Sequence, residues 1–150
     1  MKIYDCFMFF DEEMLLDLRL NIMDKYVDKF VITEATYMHS GEPKKLVFDI
    51  NKYSKFKNKI IYRVIDKQPS NLEIVKNTDT KDIRGSKLIN NSVKRENYQR
   101  EMALGSLENV DDNDIVLIND IDEIPDFSEI NFYNIKNKIV LFQQKIFCYK

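Results

Sequence analysis

What most constrains this chain is a set of short, strongly apolar runs rich in β-branched and aromatic residues. Ile3-Tyr-Asp-Cys-Phe-Met-Phe-Phe10, Lys29-Phe-Val-Ile-Thr-Glu34 and Asp114-Ile-Val-Leu-Ile-Asn119 are nearly continuous in hydrophobicity. Runs of that length and character read as strands covered on both faces, the signature of a parallel sheet between helices. Lys59-Ile-Ile-Tyr-Arg-Val-Ile65 alternates less cleanly but has the same β-rich make-up. A last run, Lys138 to Tyr149, reads as a further strand.

The segments between these runs supply the helices. Asp11, Glu12 and Glu13 place negative charge where a helix dipole is positive. Met14, Leu15, Leu18, Ile22 and Met23 then recur at three- and four-residue spacing, and Lys25 closes the segment. Strand, helix and strand within about 35 residues predict a right-handed crossover and a parallel pair. Residues 35–57, with Gly41, Pro43 and several lysines, read as a loop with room for one short helical turn. Residues 66–85 are polar and read as a long mobile loop. Ser92 to Glu108 carries Tyr98, Met102 and Leu107 on a helical pattern, with Glu96 and Arg100 at supportive i, i+4 spacing. The expected core is Ile3, Phe7, Phe9, Leu15, Leu18, Ile22, Phe30, Ile32, Ile60, Tyr62, Ile115, Leu117 and Phe142.

At 150 residues and 44% hydrophobic content the chain holds one domain with a sizeable core. A net charge of -2 with scattered Lys and Arg argues against a nucleic-acid partner. Cys6 and Cys148 lie in apolar stretches without metal-ligand spacing and read as buried thiols. The N-terminal apolar run is too short and too charged for a signal peptide, and no other run approaches a membrane span, so the expected location is the cytoplasm.

Seven acidic residues fall between Asp111 and Asp126, and Asp120, Asp122 and Glu123 follow directly on an apolar strand. The carboxyl end of a parallel strand is where α/β sheets bind ligands. Residues at i and i+2 of extended chain point the same way, so Asp120 and Asp122 can converge on one hard cation, Mg2+ or Mn2+, shared with substrate phosphates. A solvated acidic turn ended by Pro125 is the bland alternative. An EF-hand fails, because Ile124 and Pro125 stand where a ligand oxygen and a glycine are needed. A haloacid-dehalogenase-like phosphatase would use Asp120 as nucleophile and Asp122 as acid/base, but its motif opens a catalytic domain and here only 28 residues follow Asp122. A nucleotide-sugar transferase, or a non-catalytic module binding the same ligand, agrees with the whole order of elements. No P-loop, GxGxxG or Ser/His/Asp arrangement is visible.

Several blocks in order carry a more specific likeness: 4–20 (YDCFMFFDEEMLLDLRL), 28–34 (DKFVITE), 40–44 (SGEPK), 98–100 (YQR) and 114–125 (DIVLINDIDEIP). Together they resemble glycosyltransferase family 17, which includes the bisecting N-acetylglucosaminyltransferase. The resemblance implies a GT-A-type α/β fold and metal-dependent transfer of a sugar, N-acetylglucosamine, from a UDP-sugar donor to a glycan acceptor. It implies Asp122 as direct metal ligand, and Asp120 as ribose contact or water-mediated metal contact, with Glu123 supporting them or simply capping the turn. Arg100 either reaches the donor diphosphate or only pairs with Glu96. Glu34 either holds uracil or ribose or is a plain strand-end carboxylate. Lys44 matches the family lysine after Gly and Pro and is a candidate phosphate contact, whereas His39 reads as an exposed loop residue in preference to a catalytic one. The resemblance also implies that residues 1–150 form the donor-binding half, with the acceptor half and its general base beyond Lys150. A terminal strand left without its neighbour would then favour self-association.

Overall fold

The computed structural model describes residues 1–107, 109–135 and 139–143. Its elements are β1 (Ile3–Met8), α1 (Glu13–Met23), β2 (Lys29–Ala35), β3 (Ile60–Ile65), α2 (Lys81–Leu104) and β4 (Ile115–Ile118), with 3-10 segments at Ile50–Phe56 and Phe132–Asn134. The strands form one sheet in the order β3-β2-β1-β4, and every pairing is parallel. The fold is therefore the expected α/β arrangement of a mostly parallel sheet flanked by helices.

Alternation along the strands explains why their sequences are apolar throughout. Ile3 and Phe7 of β1, Phe30 and Ile32 of β2 and Leu117 of β4 pack with Leu16, Leu20 and Met23 of α1. Tyr4, Cys6 and Val31 face the other way and meet Ala103 of α2. With both faces covered, no register of the central strands turns an apolar side chain to water.

The helices depart from expectation in instructive ways. The buried residues of α1 are Leu16, Arg19, Leu20 and Met23, whereas Met14 (80% exposed), Leu18 (48%) and Ile22 (42%) face outward. Leu18 and Ile22 are thus not core, and Leu15 is only partly buried against it. The stripe is rotated because its centre is a charged residue, Arg19, which apolar periodicity does not count. Ile60, Tyr62, Ile115 and Phe142 are likewise partly buried at the margin of the core, and the rest of the expected core is buried.

The second helix begins at Lys81, well inside the segment read as loop. Thr80 caps it by accepting from the Ile83 N–H. Its buried residues are Asn91, Arg95, Gln99 and Ala103, one per turn. That stripe is mostly polar, so the helix shows no hydrophobic period at its start and Gly85 weakens the signal further. Residues 66–80 lie against it. Asn91 accepts from the Glu73 N–H (2.7 Å) and donates to the Glu73 carbonyl (2.8 Å), and Lys87 pairs with Asp79 (2.8 Å). Where one short helical turn is expected, the 36–59 connection holds two 3-10 turns within Ile50–Phe56, joined across a kink at Tyr53.

Most of the expected strand Lys138 to Tyr149, together with Cys148 and the self-association read from that strand, lies outside the described residues. Residues 139–143, which are described, form no strand. Cys6 is free and buried, as expected, and burial next to Asp5 pushes its thiol pKa up to about 12. No described helix is long and apolar enough to cross a membrane.

Candidate active site

Parallel strands share one C-terminal edge. In this sheet the chain steps from β1 outward through β2 to β3, then returns to place β4 on the other side of β1. Connections leaving β1 and β4 therefore diverge, and a crevice opens between them, the usual ligand position of an open α/β sheet. A cavity of about 640 Å3 occupies that position. Met8 at the end of β1 and Phe9 and Phe10 beyond it line the cavity, as do Asp120, Ile121 and Asp122 after β4, and the 37–44 loop and α2 add to its wall.

The acidic motif reaches the cavity by a different local route from the extended one expected. β4 ends at Ile118, and residues 120–123 form a turn in which the Glu123 N–H donates to the Asp120 carbonyl (3.0 Å) and the Ile124 N–H to that of Asp122 (3.1 Å). Ile121 is buried in the core, and the carboxylates on either side of it both line the cavity. Glu123 accepts from the Asp120 N–H (3.2 Å), which closes the turn from within.

Arg100 makes both of the contacts weighed for it. One guanidinium nitrogen pairs with Glu96 a turn earlier, and the other donates to Asp120 (2.7 Å). Burial disfavours the Arg100 charge, but the hydrogen bonds to Glu96 and Asp120 outweigh it and raise the pKa above the ordinary arginine value. Arg100 thus stands behind the cavity wall, tied to Glu96 and Asp120, which line the cavity as Arg100 itself does not.

Glu34 is fully buried, and its carboxylate is engaged by the chain itself. It accepts from Lys44, from the backbone N–H groups of Val47 (2.8 Å) and Phe48 (3.1 Å), and from the Tyr62 hydroxyl (2.8 Å). Burial alone would push its carboxyl up; the four donors outweigh burial and bring it below the usual glutamate range. The same contact works on Tyr62, whose hydroxyl is raised first by burial and then by the bond to Glu34. Lys44 lines the cavity, with its ammonium 5.0 Å from the centre of the Phe10 ring.

The 36–44 loop is a tight excursion closed by a bridge between Tyr37 and Pro43. Gly41 at its tip has φ +95°, and Arg95 of α2 lies where a Cβ would be, 2.5 Å from its Nη2. Arg95 donates to the His39 carbonyl (3.0 Å) and to Gln68 (2.8 Å), so α2 holds the loop against the cavity. His39 itself is exposed, as expected, at the rim.

A family model described as Glycosyltransferase family 17 matches residues 1–147. The chain belongs to glycosyltransferase family 17. Comparison with curated proteins and with solved structures gives no match. Membership fixes the general function, a glycosyltransferase, and the parallel sheet agrees with it. Among the described residues of this family 17 chain, no three His, Cys, Asp or Glu side chains converge to hold a metal on their own. Two carboxylates at a cavity wall fit instead the pattern in which Mg2+ or Mn2+ is held by one or two carboxylates and completed by substrate phosphates and water.

Two residues of the site went unassigned in the sequence. Arg19 of α1 and Asp5 of β1 are both 0% exposed and form a two-pronged ion pair, with Nε to Oδ2 at 2.9 Å and Nη2 to Oδ1 at 2.7 Å. The remaining nitrogen, Nη1, donates to the carbonyls of Asp120 (2.9 Å), Ile121 (3.1 Å) and Glu123 (2.9 Å). The guanidinium also lies over the Phe7 ring at 4.8 Å. The signal was present as an acid inside an apolar strand and a base between Leu16 and Leu20 on a helix. Neither has meaning until the fold brings them together.

Proposed function

We propose that this chain binds a uridine diphosphate sugar in the cavity between β1 and β4, as the donor for transfer of the sugar, N-acetylglucosamine, to a hydroxyl of a glycan acceptor. One observation carries the reading: both carboxylates of the Asp120-Ile-Asp122 motif line a cavity at the sheet's switch point, with Arg100 bound to the first of them.

The residues divide the work by their chemistry. Asp122, exposed and without a protein partner in the turn, offers its carboxylate to a divalent cation. Asp120, tied on one oxygen to Arg100, offers the other to the ribose or to the same cation. A bound Mg2+ or Mn2+ supplies charge neutralisation for the leaving diphosphate. Arg100, held behind Asp120, adds a preorganised positive charge beside the cavity and fixes that carboxylate in place. Lys44, fixed by Glu34, presents a positive group at the cavity wall. Glu34 acts through Lys44 and the backbone of residues 47–48. Phe10 and the aliphatic wall exclude water from the donor.

Calorimetry of UDP with and without Mn2+ tests the reading. Wild-type chain is expected to bind UDP more tightly with the metal, and Asp122→Ala to lose that gain. UDP binding that ignores both metal and substitution would overturn it. Metal-dependent release of phosphate from a generic aryl phosphate, abolished by Asp120→Asn, would favour phosphatase chemistry instead.

A further inference from the structure

We infer that Arg19 is the positioning residue of this site: it holds the 120–123 turn in the one shape that turns the carboxylates of Asp120 and Asp122 into the cavity. The inference rests on the reading of those two carboxylates as the donor and metal contacts.

The argument begins with the cost of what is observed. A fully buried guanidinium and a fully buried carboxylate lose their hydration, and a well-packed apolar pair in their place is often as stable or more so. Stability of the fold therefore does not explain why the centre of the α1 stripe is charged. The contacts of Nη1 do. Three carbonyl oxygens of one turn, from Asp120, Ile121 and Glu123, converge on this single nitrogen at 2.9 to 3.1 Å. Converging carbonyl dipoles repel one another, so this turn geometry needs a cation at its focus. With the carbonyls drawn inward and Ile121 in the core, the side chains of Asp120 and Asp122 are left on the cavity side.

Asp5 completes the device. Its two oxygens take Nε and Nη2 of Arg19, fixing the plane of the guanidinium and directing Nη1 at the turn. Asp5 sits on β1 and the turn follows β4, the two strands that bound the cavity, and Asp5 pairs in register with Leu117. Arg19 thus couples the acidic turn to the rigid centre of the sheet. Lysine cannot replace it, because a compact ammonium cannot hold both oxygens of Asp5 and also reach three carbonyls. The pair is further screened from water by Phe7, over which the guanidinium lies.

The test uses the full chain and two variants. Arg19→Lys keeps the charge but not the fork, and Asp5→Leu/Arg19→Met replaces the buried pair by apolar side chains so that no lone charge remains. Amide hydrogen exchange, read residue by residue by NMR without ligand, reports the turn directly through the Glu123 and Ile124 N–H groups. Both amides are expected to exchange about 10-fold or more faster in either variant, while Phe30 and Ile32 in β2 keep their protection. Calorimetry of UDP with Mn2+ is expected to show a loss of about 10-fold to 100-fold in affinity, the range typical of residues that orient metal ligands. If the double variant does not fold, Arg19→Lys carries the same two readouts. Unchanged exchange in the turn, or a loosened turn with undiminished affinity, would overturn the inference. Wild-type chain that fails to bind UDP with Mn2+ would overturn the functional reading, and the exchange rates would still decide whether Arg19 holds the turn.

Discussion

Gly41→Ala tests how the cavity wall is built. The loop tip has φ +95°, a conformation that costs a residue with a side chain about 1 to 3 kcal/mol. The new methyl would also stand 2.5 Å from Nη2 and 2.8 Å from Cζ of Arg95, closer than non-bonded atoms come. Arg95 is 8% exposed and must move, and its bonds to the His39 carbonyl and to Gln68 move with it. Loss of even one hydrogen bond to a charged group adds about 1.5 to 3 kcal/mol. The two contributions together, less what the loop recovers by shifting, come to about 3 kcal/mol. For a chain of this size that lowers the thermal midpoint by about 6 to 12 °C. Urea unfolding gives the free energy, and the same substitution in an Arg95→Ala background separates the two causes. There the clash is gone, and only the backbone cost of about 1 to 3 kcal/mol should remain. A loss below about 1 kcal/mol in the wild-type background would refute the argument. So would an equal loss in both backgrounds, since the guanidinium would then not be the obstacle.

The remaining predictions concern α1 and Glu34. Leu16→Ala should destabilise the chain by about 2 to 5 kcal/mol, because Leu16 is 0% exposed, while Leu18→Ala on the outward face should stay within about 0.5 kcal/mol; comparable losses in urea unfolding would mean that the buried face of α1 is misassigned. Glu34 has a folded pKa below its unfolded value, so it binds fewer protons folded than unfolded and adds stability that is complete above the ordinary glutamate value of about 4.3 and is lost as pH falls through the folded value. Urea midpoints measured from pH 7 down to pH 3 should therefore fall less steeply for Glu34→Gln than for wild type, and identical slopes would refute the assignment of that acid sensitivity to Glu34.

How much of the site was legible depends on what kind of signal each residue carries. Asp120 and Asp122 were visible because a paired acid directly after an apolar strand is unusual in itself, and Arg100 because its i, i+4 partner Glu96 is local. Arg95 gave no such sign. It is one of four buried residues of α2 of which three are polar, and their partners, residues 39, 68 and 73, lie far away in the chain. Leu18 and Ile22 fit the helical period as well as Leu16 and Leu20 do, and only the neighbouring sheet decides which face is inside.

The sequence by itself determined the four strands of the sheet, the first helix, the α/β class and the place of the acidic motif at a strand end. These rest on short-range quantities: continuity of apolar residues, β-branching and charge at helix starts. It also carried the family likeness, which runs in order along nearly the whole chain. The tertiary structure alone decided that β4 lies beside β1, so that a cavity opens where two loops part. It alone set Arg19, paired with Asp5, beneath the acidic turn, whose carbonyls lie more than a hundred positions from Arg19 in the chain. The physical reason is that a buried charge is tolerable only where its partners are, and partners that distant become neighbours only after the sheet has formed.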